Sequence, residues 1–296
     1  MKSSLLLRSL VLATALISAC AVVETNPVEV AAAEKAQHDA AISVALKVAI
    51  ASPIRSAEFR ARDIYRHPQE TLSFFGIAPE MTVVEIWPGG GWYTEILAPY
   101  LREKGHYVAA TFVTDGPSPS AYYQKTNEKF LAKLAASPAL YDRTVVTAIG
   151  KPDHYAPVAP GSADAVLTFR NVHNWLAGGF SQEMFNAFYA ALKPGGVLGV
   201  VEHRAAHHTP FEQMKTSGYV TEDYVITQAL TAGFVLDDRS EINANPLDAK
   251  DYPEGVWTLP PSLELGEKDR AKYLAIGESD RMTLRFTKPR AKTGLE

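Results

Sequence analysis

Apolar residues in this chain fall alternately into short continuous runs and helical stripes. Residues 83–87, VVEIW, are apolar apart from Glu85, and Pro88, Gly89, Gly90 and Gly91 follow at once. Behind the glycines Trp92, Ile96, Leu97 and Tyr100 recur at three and four residues, the spacing of one helix face. The stretch predicts a strand, a glycine turn and a helix over residues 92–101. The alternation continues with a strand over 106–113 and a helix over 121–134, with Tyr122, Phe130, Leu131 and Leu134 on one side. Strands follow over 143–149 and 163–169, then a helix over 180–192 stopped by Lys193, Pro194, Gly195 and Gly196. Residues 197–201 are almost wholly apolar, as a buried parallel strand should be. Strands and helices in alternation with short connections predict an α/β fold: an open, doubly wound parallel sheet with helices on both faces.

The flanks read differently. Residues 40–52 predict a helix ended by Pro53, residues 55–65 a second ended near Pro68, and residues 69–76 a lead into the first strand. Downstream, Thr221 caps a helix over 221–232 with Glu222 and Asp223 in its first turn. A strand over 234–242 and a last strand over 281–287, antiparallel to its neighbours, close the pattern. Between them residues 243–266 are long and rich in Pro and Asn, and a loop of that length in a compact domain is expected to be functional or a lid. Residues 1–19 carry Lys2, Arg8 and an apolar core over 10–17, too short to cross a bilayer, and read as a secretory leader. Ile17-Ser18-Ala19-Cys20 resembles a lipoprotein cleavage box. Cys20 is the only cysteine, so no internal disulfide can form and lipidation is its expected chemistry. The expected organisation is a leader, a flexible tether over 20–39 and one domain over 40–296. The chain would be a periplasmic or cell-envelope lipoprotein touching the membrane through its anchor alone, or a soluble exported protein.

Ligands of such sheets bind beyond the carboxyl ends of the strands. That places residues 85–91, 111–115, 170–175 and 202–208 around a site. The glycine turn would let a backbone approach a ligand, or would serve as an ordinary tight connection. A formal charge of −4 shows no basic excess, which excludes nucleic acid as an expected partner. Arg55, Arg60, Arg62, Asp63, Arg66 and His67 crowd one segment, either as a solvated helix face or as a basic lip for a carboxylate or phosphate. No Gly-x-Ser-x-Gly elbow and no Gly-Lys-Ser/Thr ending occurs, which disfavours a serine hydrolase and a P-loop NTPase. Glu202, His203, His207 and His208 match no closed metal site, and no metal is expected. Trp87, Trp92, Tyr93, Trp175 and Trp257 either line a pocket for a flat ligand or belong to the core.

The order of elements and three motifs resemble the class I S-adenosyl-L-methionine-dependent methyltransferases over residues 71–289, most of all a bacterial group of predicted methyltransferases. Glu85, Gly89 and Gly91 match the acidic-x-Gly-x-Gly-x-Gly block, residues 192–196 the Leu-Lys-Pro-Gly-Gly before a strand, and residues 163–167 the strand before the catalytic region. The FFGI, NPxD and EGVWTLPP segments resemble that bacterial group. The resemblance implies a seven-stranded Rossmann-like sheet with a terminal hairpin, the cofactor S-adenosyl-L-methionine, and cofactor contacts from Glu85, Trp87, Gly89, Gly90, Gly91, Thr111, Asp115 and Arg170. Of the side chains expected at the strand ends, Asn171 or His173 would position a small-molecule or lipid acceptor and His203, a side chain that titrates near neutral pH, would be its base, or these polar groups simply cap the strand ends. The chain departs from the pattern at Trp87, where the first glycine belongs, at Thr111, where an acidic residue binds the ribose, and at Lys151, where an acidic residue contacts adenine, Asp153 being close. The cofactor is made in the cytoplasm and the leader directs export, so a noncatalytic binding module on the same fold is the alternative.

Overall fold

The computed structural model describes residues 27–116 and 120–290. The leader and Cys20 lie outside the described residues. Helix α1 is Pro27–Ala51, and residues 41–296 form a compact unit. Residues 27–39 are therefore helical where a tether is expected. The segment AAAEKAQHDAA is built from strong helix formers without glycine, so propensity makes a helix where no apolar stripe signals one.

Three short helices follow, α2 at Ala57–Arg60, α3 at Asp63–Arg66 and α4 at Pro68–Phe74. Helices α2 and α3 stand in place of the single helix expected over 55–65, separated at Ala61 and Arg62; His67 then turns left-handed, with φ 38°, and Pro68 starts α4 at its first position, within the expected lead-in. Strand β1, Thr82–Ile86, leads through the glycine turn to α5, Thr94–Leu101, and then to β2, His106–Thr111. Helices α6, Ala121–Ala136, and α7, Pro138–Tyr141, precede β3, Val145–Ala148. Strand β4, Ala163–Phe169, is followed by α8, Val172–Gly178, and α9, Ser181–Ala191, and then by β5, Leu192–His203. The rest is α10, Phe211–Ser217, α11, Glu222–Ala232, β6, Val235–Ser240, α12, Arg270–Ile276, and β7, Arg281–Thr287, with one 3-10 turn at Gly255–Thr258.

The seven strands form one sheet in the order β3-β2-β1-β4-β5-β7-β6. The first five are parallel, and β7 runs antiparallel between β5 and β6. This is the class I methyltransferase topology with its terminal hairpin. Residues 192–196 end the helix as expected, but the chain stays extended there: Gly195 N–H donates to the Lys288 carbonyl at 2.7 Å, which lengthens β5 backwards. Alternate residues of β1 serve opposite faces, Val84 and Ile86 packing with Trp175, Phe185 and Phe188, and Val83 with Phe75, Ile96 and Leu97. Thr221 caps α11 as predicted, its hydroxyl accepting from Tyr224 N–H at 3.2 Å.

Candidate functional site

The parallel strands all deliver their carboxyl ends to one side of the sheet, and a cavity of about 700 Å³ opens there. At the ends of the adjacent strands β1 and β4 the next residue is left-handed and is not glycine: Trp87 has φ 48° and Arg170 φ 62°. Such a backbone costs on the order of 1–2 kcal/mol for an L-residue. Each is held by a ladder bond, Trp87 N–H to Ala110 O at 2.8 Å and Arg170 N–H to Val201 O at 2.7 Å. The two kinks aim an indole and a guanidinium into the cavity.

Behind Trp87 the glycine turn shows two jobs. Gly89, at φ 58°, has nothing within 4 Å of where a Cβ would stand, and Gly89 and Gly90 line the cavity. Gly91 does not line it. A Cβ there would stand 3.2 Å from the Phe130 ring, so this glycine lets α6 pack against the turn, which corrects its expected role as a ligand contact. Glu85 does line the cavity, with its carboxylate accepting from the Tyr107 and Thr94 hydroxyls. Burial raises its pKa to about 7 against the lowering effect of those two hydrogen bonds.

The departures from the methyltransferase pattern are satisfied inside the protein. The Trp87 Nε1–H donates to the Ile149 carbonyl at 2.8 Å, and the indole packs on Phe112 with centroids 4.6 Å apart. The Thr111 hydroxyl donates to the Thr147 carbonyl at 2.8 Å, so it faces β3 and not the cavity. Asp115 is 72% exposed beside His154 and does not fold back to the site. Lys151 donates to the Gly178 carbonyl. Neither Thr111 nor Asp115 is the cofactor contact that the resemblance implies. At this end the cavity wall is aromatic, made by Trp87, Phe112, Tyr122 and Tyr123.

On the far side β4, α8 and β5 bring together His173, Glu202 and His203, whose ligating atoms lie within 4.8 Å of one another, all buried. Glu202 accepts from the backbone N–H of His173 at 3.3 Å and of His203 at 2.7 Å, and its Oε1 lies 3.1 Å from His173 Nδ1. A carboxylate only accepts, so this contact favours Nδ1–H and leaves Nε2 of a neutral His173 with a free lone pair. His203 Nδ1 pairs with the Ser279 hydroxyl. Burial, then His173 and the nearby arginines, push the His203 pKa well below the ordinary value, which makes it a weak base and corrects its expected role. Asn171 lines the cavity, but its Nδ2 donates to the Ile86 carbonyl at 2.9 Å and tethers the end of β1 to that of β4. His207 and His208 do not join the cluster.

The long segment expected to be functional or a lid reaches the site. Val256, Trp257, Pro260, Pro261, Ser262 and Glu264 of the 243–266 segment wall the cavity. Arg62, Arg66 and Arg281 line it as well. Of the charged segment, Arg62 and Arg66 reach the cavity, whereas Arg60 is exposed and Arg55 is buried in a bidentate pair with Asp63 at 2.7 and 2.8 Å. Arg281 and its partner Glu278 escaped the sequence reading. Their one signal is the charged ESDR run at the start of the final strand.

No family model and no curated protein matches the sequence. Solved structures match it in fold. A SAM dependent methyltransferase from Aquifex aeolicus aligns over 77% of this chain and 93% of its own, at 14% identity and a TM-score of 0.50. The [4+2]-cyclase SpnF aligns over 81% and 86%, at 17% identity and 0.50. The Haemonchus contortus phosphoethanolamine N-methyltransferase 2, in complex with S-adenosyl-L-methionine, aligns over 76% of this chain and 53% of its own, at 15% and 0.50. At these identities the likeness is one of fold.

Proposed function

We propose that this protein is an S-adenosyl-L-methionine-dependent methyltransferase acting on a small molecule. The observation that carries the reading is a single cavity joining the open Gly89–Gly90 turn and Glu85 at one end to the His173–Glu202 pair at the other. The donor set suits the cofactor in a particular way. Backbone at Gly89 and Gly90 can approach it closely, and the aromatic faces of Phe112, Tyr122 and Tyr123 would stack its adenine in place of carboxylate contacts. When bound, the cofactor supplies a methyl group on a sulfonium, a transfer that asks mainly for alignment. This chain's part is to hold the acceptor and its proton: Nε2 of His173 would accept that proton while Glu202 fixes Nδ1–H. The His203 backbone N–H, which donates to Glu202, helps to hold that carboxylate in place.

Calorimetric titration of the full chain with S-adenosyl-L-methionine and S-adenosylhomocysteine tests this. Micromolar binding that Gly89→Val removes supports the reading, and no binding by a folded chain refutes it.

One observation favours a second reading, a ligand-binding module on the same fold or one put to other chemistry. Trp87 and Thr111 spend their donors on the protein itself, and neither they nor Asp115 bring a carboxylate to the cavity to meet a ribose. SpnF, named as a cyclase, aligns to the same fold. Trp87→Gly separates the two: tighter cofactor binding in that variant would mean that the indole excludes the cofactor from the wild-type site. We also propose that the chain is exported and lipid-anchored through Cys20, on the leader pattern of residues 1–19. Cys20→Ser should then move the protein from the detergent phase to the aqueous phase on Triton X-114 partition.

A further inference from the structure

Four guanidinium groups line the cavity, those of Arg62, Arg66, Arg170 and Arg281, and one carboxylate, Glu278, answers three of them. Arg62 Nε donates to Glu278 Oε1 at 2.5 Å, Arg281 pairs with Glu278 Oε2 and donates to the Tyr65 carbonyl at 2.9 Å, and Arg66 Nε stands 3.8 Å from Oε2, beyond hydrogen-bond reach. Arg66 is 4% exposed and Arg281 2%. Yet Nε and Nη2 of Arg66, Nη2 of Arg62 and Nε of Arg281 have no hydrogen-bond partner among the described residues. The Arg170 side chain makes no hydrogen bond among the described residues. Glu202, the next carboxylate beyond Arg170, is engaged by His173 and His203. Arg66, Arg170 and Arg281 also bound a small adjoining void of about 10 Å³, the room one water needs.

Buried donors left without partners cost free energy, and buried like charges cost more, so this set is completed by something the cavity receives. We propose that the arginine-lined floor binds a dianionic oxyanion group, of the phosphate-monoester kind, carried by the methyl acceptor. The substrate assignment rests on the methyltransferase reading; the oxyanion site does not. Planar guanidinium forks gathered on one side of the main cavity match an oxyanion with three acceptor oxygens. The carboxylate of the cofactor fits less well, because its ammonium and sulfonium would enter the same field of positive charge. The Arg66 guanidinium also lies over the Trp92 ring at 4.6 Å, which fixes its direction.

The test uses the full chain, with inorganic phosphate as probe at constant ionic strength set with chloride. Thermal shift and calorimetry should show saturable phosphate binding, weakened about tenfold by Arg170→Gln or by Arg66→Gln, the loss of one charge-assisted contact. Arg170→Gln keeps the test valid where Arg66→Gln fails to fold. S-adenosylhomocysteine affinity should stay within about twofold in Arg66→Gln, less than a single hydrogen bond is worth. Phosphate that stabilises no better than chloride overturns the proposal, as does simple competition between phosphate and S-adenosylhomocysteine. Phosphate binding without any S-adenosylhomocysteine binding keeps the oxyanion site and removes the methyl-transfer reading, so the two failures are told apart.

Discussion

Glu85, which lines the cavity, and Glu278, which pairs with arginines that line it, have opposite environments, and pH separates them. Burial raises Glu85 to about 7, above its unfolded value, so the folded state binds the extra proton between about pH 4.5 and 7 and stability falls as pH rises through that window. At roughly 1.4 kcal/mol per pKa unit the loss reaches about 3 kcal/mol, and Glu85→Gln should flatten it in urea titrations run across that range. Glu278 has the other sign. Burial acts to raise it, but Arg281, Arg62 and Arg66 hold it at about 2. Its stabilisation is therefore present above its ordinary range and lost as pH falls toward 2, a slope that Glu278→Gln should remove. Gly89→Val tests the turn by shape: at φ 58° the branch adds on the order of 1–2 kcal/mol of strain and fills open cavity, so folding should survive while ligand binding does not.

At the scale of elements, the NPxD segment proves to be a latch for the strand that carries the arginines. Asn245 Nδ2 donates to the carbonyls of Ile276 and Glu278 at 2.9 and 2.7 Å, and Asp248 accepts from the Tyr219 hydroxyl and from Asp280 N–H. These bonds fix residues 278–281, which place Glu278, Ser279 and Arg281 at the site. Asp248→Ala should cost about 2–3 kcal/mol by leaving buried donors unpaired, and should raise KM more than it lowers kcat. The parallel strands were legible in the sequence because apolar runs between helical stripes have one good solution. Helix α8 was not, since HNWLAG is too short to show a period, nor was α12. The site was legible where backbone chemistry decides it, at Glu85 and Gly89. It was hidden where the chain returns from far away, as with Arg281, and at Thr111, whose direction depends on a pairing with β3 that no local pattern reveals.

Across the whole molecule, the sheet edge built from β1, β2 and β3 supplies an aromatic wall, the β4–β5 ends supply a histidine–carboxylate pair, and the N-terminal helices with β7 supply positive charge. The net charge of −4 conceals this, because a sum over the whole chain does not register four arginines gathered at one cavity. One cavity thus offers a flat apolar surface, a proton acceptor and an oxyanion floor, the parts a methyltransferase for a small anionic acceptor needs. The most direct measurement is calorimetric titration of the full chain with S-adenosylhomocysteine, in the presence and absence of phosphate. The account predicts micromolar binding, lost in Gly89→Val and not displaced by phosphate. A folded chain that binds phosphate but takes up no S-adenosylhomocysteine would contradict it.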